Sequence, residues 1–303
     1  MTVRVAFVNN MPDSAFEAAE KQFANFLGRE AVLSRYWLPG TPRGPEVQAV
    51  IAKGYQDLAH LYRYPPELLV VTGAEPRASD LPSEPYWPAL EELLWWARSA
   101  VPVAVLSCLA AHGALWSFDS LARQALPQKC SGVFPQALDS ADPLVRGVGP
   151  AAFVHSRWNE VATSLLVEND YGVVAGSEAG WTVAVAEKGR SLFVLFQGHP
   201  EYEPLTLLRE YRRDARRYLS GQGAYPQVPV GYLDGEGESL LAEFEQRATS
   251  GAADVALMGH FPFYEAARHV KASWKEASMA LAANVLRAVR QRSGAAVCAV
   301  RTA

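Results

Sequence analysis

The chain has 303 residues, 50% hydrophobic and 20% charged, with a formal net charge of −4. That is the composition of an ordinary globular protein of one large or two small domains. It argues against a nucleic-acid partner, since the only basic run is Arg209 to Arg217. Three cysteines, Cys108, Cys130 and Cys298, form an odd set without metal-type spacing, which fits a reducing cytoplasm and excludes a disulfide framework. No apolar run approaches a membrane span. Met1 to Val8 enters a strand pattern directly, without a signal-peptide layout.

In chain order, Val3 to Val8 reads as the first strand and Asn9 to Asp13 as a turn. Ser14 to Leu27 follows as a helix with Asp13 or Ser14 as its N-cap. Ala31 to Leu38 is a second strand, and Pro39 to Gly54 a loop with room for a short helix at Glu46 to Lys53. Glu67 to Gly73 is a third strand and Ala74 to Pro85 a loop. Trp87 to Ser99 is an amphipathic helix before the apolar run Val103-Ala104-Val105-Leu106, which reads as a buried parallel strand. Cys130 to Ala186 reads as shorter strands with turns, and Ser191 to Gly198 as another apolar strand. Helices are expected over Pro204 to Leu219, Ser239 to Arg247 and Ser273 to Arg292, with Gln222 to Gly237 as loop. Alternating strands and helices predict an α/β fold, a parallel sheet between two helix layers, with a C-terminal helical extension. Ligands in such sheets bind at the carboxyl ends of the strands. That rule gathers the turns at Asn10, Gly73, Cys108 and His199 on one rim.

Two of those turns carry chemistry. Ser107-Cys108 follows the Val103 to Leu106 strand at once, and a helix begins at Leu109. A cysteine at such a junction sits on a sharp turn, where the helix N-terminus favours negative charge on the sulfur. His199 follows another strand, with Glu201 two residues on. In an extended segment that spacing puts both on one face, so Glu201 orients the ring while His199 takes a proton from Cys108. Taken alone, the cysteine also reads as a small buried hydrophobe and Gly198-His199-Pro200-Glu201 as a loop. Found together, each after its own strand, they point to catalysis.

Further stretches carry a family resemblance: Val8-Asn9-Asn10-Met11-Pro12, Val71-Thr72-Gly73-Ala74, Tyr86-Trp87-Pro88, Lys129-Cys130-Ser131-Gly132-Val133, His155-Ser156-Arg157, Gly198-His199-Pro200-Glu201-Tyr202, Arg209-Glu210-Tyr211-Arg212-Arg213-Asp214 and Ala272-Ser273-Trp274. With Cys108 and its helix, they make the chain resemble the homoserine O-succinyltransferases of the methionine pathway, which have a flavodoxin-like, glutamine-amidotransferase-like fold. The resemblance implies a catalytic domain over residues 1–220 and a C-terminal extension, 221–303, packed on it. It implies ping-pong acyl transfer without a cofactor or metal. Cys108 would accept the acyl group from acyl-CoA, with His199 as base and Glu201 as its partner. Lys129, Ser156 and Arg213 would hold the acceptor, L-homoserine, or the acyl group, with Glu210 near the amino end. A homodimer is also implied.

This chain departs from the family at several points. Leu109 and His112 replace a usual Trp and Gln, and Asp13-Ser14 follow Met11-Pro12 where a lysine is usual. Arg77 falls where Gly or Glu separates succinyl from acetyl users, and its charge favours a dicarboxylic acyl group such as succinyl. Leu233 to Phe263 is longer than the usual connection. Acetyl-CoA as donor, another amino-acid acceptor, a Cys-His-Glu glutaminase or hydrolase, and a non-catalytic binding module remain alternatives. Leu106 and Ala110 stand where a glutaminase usually has glycines.

Overall fold

Apolar runs that do not alternate with polar residues must be covered on both faces. In the computed structural model, which describes residues 2–301, with side chains through residue 294, these runs form the middle of an eight-stranded sheet. The Cys298 side chain lies outside the described residues. The first half runs β1 (Val3–Asn9), α1 (Phe16–Leu27), β2 (Ala31–Trp37), α2 (Pro45–Gly54), α3 (Leu58–Arg63), β3 (Leu68–Val71), α4 (Trp87–Ala100), β4 (Val103–Ser107) and α5 (Leu109–Asp119). The second half runs β5 (Gln124–Pro135), β6 (Ala137–Leu138), β7 (Ala152–Glu160), α6 (Thr163–Glu168), β8 (Gly172–Ser177), β9 (Gly180–Lys188) and β10 (Ser191–Phe196). It ends with α7 (Thr206–Leu219), α8 (Gly235–Thr249), α9 (Phe263–Ala267) and α10 (Lys275–Arg301).

The strand order is β2-β1-β3-β4-β10-β9-β8-β6. The strands from β2 to β10 are parallel, as expected, whereas β9, β8 and β6 add antiparallel. The turn at Gly189-Arg190 forces that change, because only antiparallel neighbours are joined so tightly. β5 and β7 leave the main sheet and pair with each other as a separate antiparallel ribbon.

Alternation along β4 divides the core. Ala104 and Leu106 face a cluster with Leu90, Leu94, Ala111 and Leu115 of α4 and α5. Val103 and Val105 face Phe23, Phe26, Leu281 and Val285 of α1 and α10. A third cluster joins α7, α8 and α9 to Val133 and Val154 of the ribbon. The segment after residue 221 therefore feeds two of the three clusters. Its Trp274 indole N–H donates to the Tyr202 carbonyl at 2.9 Å, beside the His199 turn. The long Leu233 to Phe263 connection contains α8, whose N-cap Asp234 accepts from the Gly237 N–H at 3.0 Å.

Local chemistry corrects some expectations. Neither Asp13 nor Ser14 caps α1, which starts after a 3-10 turn with Ala15 at the N-cap. The Asp13 carboxylate is occupied elsewhere, accepting the Gly44 N–H at 2.6 Å and pairing with Arg43 at 3.3 Å. Within the expected loop, α2 forms fully with Pro45 at its first turn. α3 was not anticipated, and Asp57 caps it by accepting the His60 N–H at 2.9 Å.

Gly198 sets the path of the chain into the His199 turn. A Cβ there would lie 2.6 Å from Thr182 Cγ2 and 2.9 Å from the Val154 carbonyl oxygen. Gly198→Ala is therefore expected to cost roughly 1–3 kcal/mol, seen as a lower Tm in thermal denaturation. Gly149→Ala, where nothing lies within 4 Å, is the control; equal Tm values for the two variants would contradict this reading.

Candidate active site

The β4-α5 junction is the sharp turn that its sequence requires. Cys108 has φ 51° and ψ −109°, an unusual conformation for a residue with a side chain. Its N–H donates to the Phe196 carbonyl at 2.6 Å, which ties the end of β4 to the end of β10. The thiol is half-buried. Gly73 comes so close that a Cβ there would lie 3.1 Å from the Leu109 nitrogen and 3.3 Å from Cys108 Cβ. The first amides of α5 have no intrahelical acceptor, a property of every helix start.

β10 delivers the histidine. The His199 N–H donates to the Val154 carbonyl at 2.7 Å, and the Tyr202 N–H to the His199 carbonyl at 3.2 Å. His199 and Glu201 therefore meet across a tight turn rather than along an extended segment. His199 Nδ1 lies 2.8 Å from Glu201 Oε1, and the Ser107 hydroxyl donates to that same oxygen at 3.2 Å. The imidazole stacks on Tyr202 at a centroid distance of 4.3 Å. Nε2 is buried, and no described group meets hydrogen-bond geometry with it. Burial disfavours the imidazolium, but the Glu201 charge, the adjoining Cys108 sulfur and the Glu201 hydrogen bond outweigh it. Together they hold the His199 pKa well above its ordinary value.

A polar cluster from the ribbon and α7 faces this pair. Glu210 accepts from the Tyr202 hydroxyl at 2.8 Å, from Lys129 Nζ at 3.3 Å and from the Ser156 hydroxyl. Burial alone would raise its pKa, yet Lys129, Arg213 and the two hydroxyls hold it below the usual carboxylate range. Lys129 also donates to Asp214 at 2.8 Å, and Arg213 Nε to Asp214 at 2.9 Å. Cys108, His199, Glu201, Lys129, Ser156, Glu210 and Arg213 all line one cavity of about 260 Å³. Asp214, which links Lys129 to Arg213, was not among the predicted site residues. Its signal was an acid directly after Arg212-Arg213. Among the described residues there is no group of three or more His, Cys, Asp or Glu placed to hold a metal ion.

Residues 1–294 match the family described as homoserine O-succinyltransferase (HTS). The chain belongs to the homoserine O-succinyltransferase family. It is 40% identical over 267 residues to a homoserine O-succinyltransferase of Rhodopseudomonas palustris, covering 86% of this chain and 80% of that one. A protein of the same name from Methylorubrum extorquens is 38% identical over 293 residues, covering 96% and 88%. The crystal structure of a glutamine amido transferase from Methylobacillus flagellatus superposes with a TM-score of 0.52 at 13% identity, covering 95% of this chain and 96% of that one. That likeness establishes the shared α/β fold. Among the described residues no helix is long and apolar enough to cross a membrane.

Within this member of the homoserine O-succinyltransferase family, Arg77 is the predicted site residue that the fold does not bring into the cavity. It is exposed on the loop between β3 and α4, and it borders a neighbouring depression with Asn10, Thr41 and Tyr86. Its backbone N–H donates to the buried Glu84 carboxylate at 2.9 Å, and Arg123 faces the same carboxylate at 3.6 Å. His112 is also away from the cavity wall. Its Nε2 contacts Gln197 Oε1 at 3.0 Å. The Gln197 amide donates to the Trp181 carbonyl at 2.9 Å, which fixes its oxygen as acceptor and His112 Nε2 as donor. Burial lowers the His112 pKa to about 4, so the ring is neutral at neutral pH.

Glu201→Gln removes the charge that most favours the His199 imidazolium. The His199 titration midpoint, followed by NMR, should therefore move down. A raised folded-state pKa stabilises the fold fully below the unfolded value of about 6.5, and that contribution disappears as pH rises through the raised pKa. The stability gap between wild type and Glu201→Gln should accordingly be larger near about pH 6 than at alkaline pH. An unmoved His199 midpoint would show that Glu201 does not control the ring.

Proposed function

We propose that the chain is a homoserine O-acyltransferase that moves a succinyl group from succinyl-CoA to the hydroxyl of L-homoserine through a thioester on Cys108. The observation that carries this reading is one cavity lined both by the Cys108, His199 and Glu201 set and by a cluster suited to a zwitterionic amino acid. The relatives' names supply the succinyl group and the acceptor, and the family resemblance supplies CoA as the carrier of that group.

In the first half-reaction the Cys108 sulfur attacks the thioester carbonyl of the donor. The oxyanion forms beside Gly73 and the start of α5, where backbone amides without helical partners are available to it. Collapse breaks the bond to the CoA sulfur, and His199 supplies the proton that the departing thiol needs. Exchange of one thioester for another is nearly balanced in energy, so neither direction is trapped. In the second half-reaction His199 takes the homoserine hydroxyl proton as that oxygen attacks the acyl-cysteine. The ester leaves and Cys108 is restored. Glu201 orients the imidazole through Nδ1 and stabilises its charge, which leaves Nε2 for both proton transfers.

Homoserine brings one carboxylate and one ammonium. Arg213 uses Nε for Asp214, and its remaining N–H groups suit the carboxylate. Glu210, held anionic by its neighbours, suits the ammonium. The homodimer implied by the resemblance belongs to this proposal and is readable by sedimentation.

Initial rates against succinyl-CoA and homoserine should give parallel double-reciprocal lines, the signature of a ping-pong mechanism. Arg213→Ala should raise the homoserine KM by roughly 10–100-fold, the range expected for hydrogen bonds to a charged group, with a far smaller change for succinyl-CoA. Intersecting lines would contradict the covalent route, and an unchanged homoserine KM would reject the role of Arg213.

A further inference from the structure

The proposed reaction leaves one part of the donor without a place. A cavity of about 260 Å³ is smaller than the clefts that bury drug-sized ligands. It admits the acyl group and the acceptor, so the long CoA moiety must extend from the sulfur through the mouth. Two lining residues at that mouth have no role in the chemistry described above.

The first is Trp158 on β7. It lies two residues after Ser156 and so shares that residue's face of the ribbon, and both line the cavity. Its side chain is nevertheless 52% exposed. The second is Arg209 on α7, one turn before Arg213 on the same helix face. Four Lys and Arg side chains line the cavity: Lys129, Arg209, Arg213 and Arg217. Lys129 pairs with Glu210 and Asp214, Arg213 with Asp214, and Arg217 with Glu75 and Asp214. Among the described residues, Arg209 has no carboxylate within ion-pair distance, and it is exposed.

We infer that Trp158 and Arg209 form an outer subsite for the CoA portion of the acyl donor. The indole packs against the pantetheine arm as it leaves the cavity. The unpaired guanidinium meets a phosphate group farther out. One wall offers the chemistry that each part of the donor needs: Cys108 for the thioester, an apolar ring for the amide and methylene chain, and a free cation for the anions. An exposed indole with one wet face suits such a chain, and a guanidinium suits phosphate. Both residues bind the donor's handle and take no part in bond making.

This inference rests on the acyltransferase reading, and the test separates the two. The donors are succinyl-CoA, succinyl-pantetheine and succinyl-N-acetylcysteamine, each assayed with homoserine and wild type, Arg209→Gln and Trp158→Ala. For Arg209→Gln, kcat/KM should fall at least about tenfold more with succinyl-CoA than with succinyl-pantetheine, since a charge-assisted contact is lost. For Trp158→Ala, the fall should be larger with both pantetheine-bearing donors than with the N-acetylcysteamine thioester. Equal falls with all three donors, or an effect confined to the homoserine KM, would overturn the subsite and leave the acyltransferase reading intact. Failure of wild type to use any of the thioesters would remove both.

Discussion

The site depends on one backbone hydrogen bond, from the Cys108 N–H to the Phe196 carbonyl at 2.6 Å. Holding a residue with a side chain at φ 51° costs of order 1–3 kcal/mol and persists only where surrounding structure dictates it. Here the parallel register of β4 and β10, with Ser107 opposite Phe196, supplies that dictation. The same bond fixes the ends of two strands relative to each other. It therefore sets where the thiol stands against the histidine that follows β10. Ser107 adds a second tie by donating to Glu201, so the carboxylate that orients the imidazole is itself oriented from the nucleophile's strand.

The polar cluster depends on a different constraint. Glu210 is held by donors from β5, β7 and the Tyr202 turn, so it joins the ribbon to α7. Removing one partner would leave a half-buried network only partly satisfied, which is where such networks are costly. Tyr202 belongs to both halves of the site. Its ring stacks on His199 while its hydroxyl binds Glu210. Trp274, from the C-terminal part of the chain, holds the Tyr202 carbonyl. Residues far apart in sequence thus converge on the five-residue turn from Gly198 to Tyr202.

Where local sequence dictates structure, the reading from sequence matches the fold. The Val103 to Leu106 run is buried between two helix layers as its composition predicts, and Cys108, just past it, stands on the expected strand-to-helix turn. The pairing of His199 with Glu201 is also legible, although its cause is a turn closed by Tyr202 and not a strand face. The rest is set by distant contacts. Asp13 looks like a helix cap until Gly44 and Arg43 occupy its carboxylate. The β5-β7 ribbon, which carries Lys129 and Ser156, has no local signal that separates it from the main sheet. The path of the Arg77 loop is governed by Glu84 and Arg123, and counting along the chain cannot show which way its side chain faces.

The central claim is that Cys108 carries the acyl group between two substrates held in one cavity. Intact-mass analysis of the protein mixed with succinyl-CoA alone tests it most directly. The account predicts a mass gain of one succinyl group, mapped to Cys108, discharged when homoserine is added and absent in Cys108→Ala. A wild-type protein that turns over without any such adduct, or a Cys108→Ala variant that still transfers the acyl group at the wild-type rate, would contradict it.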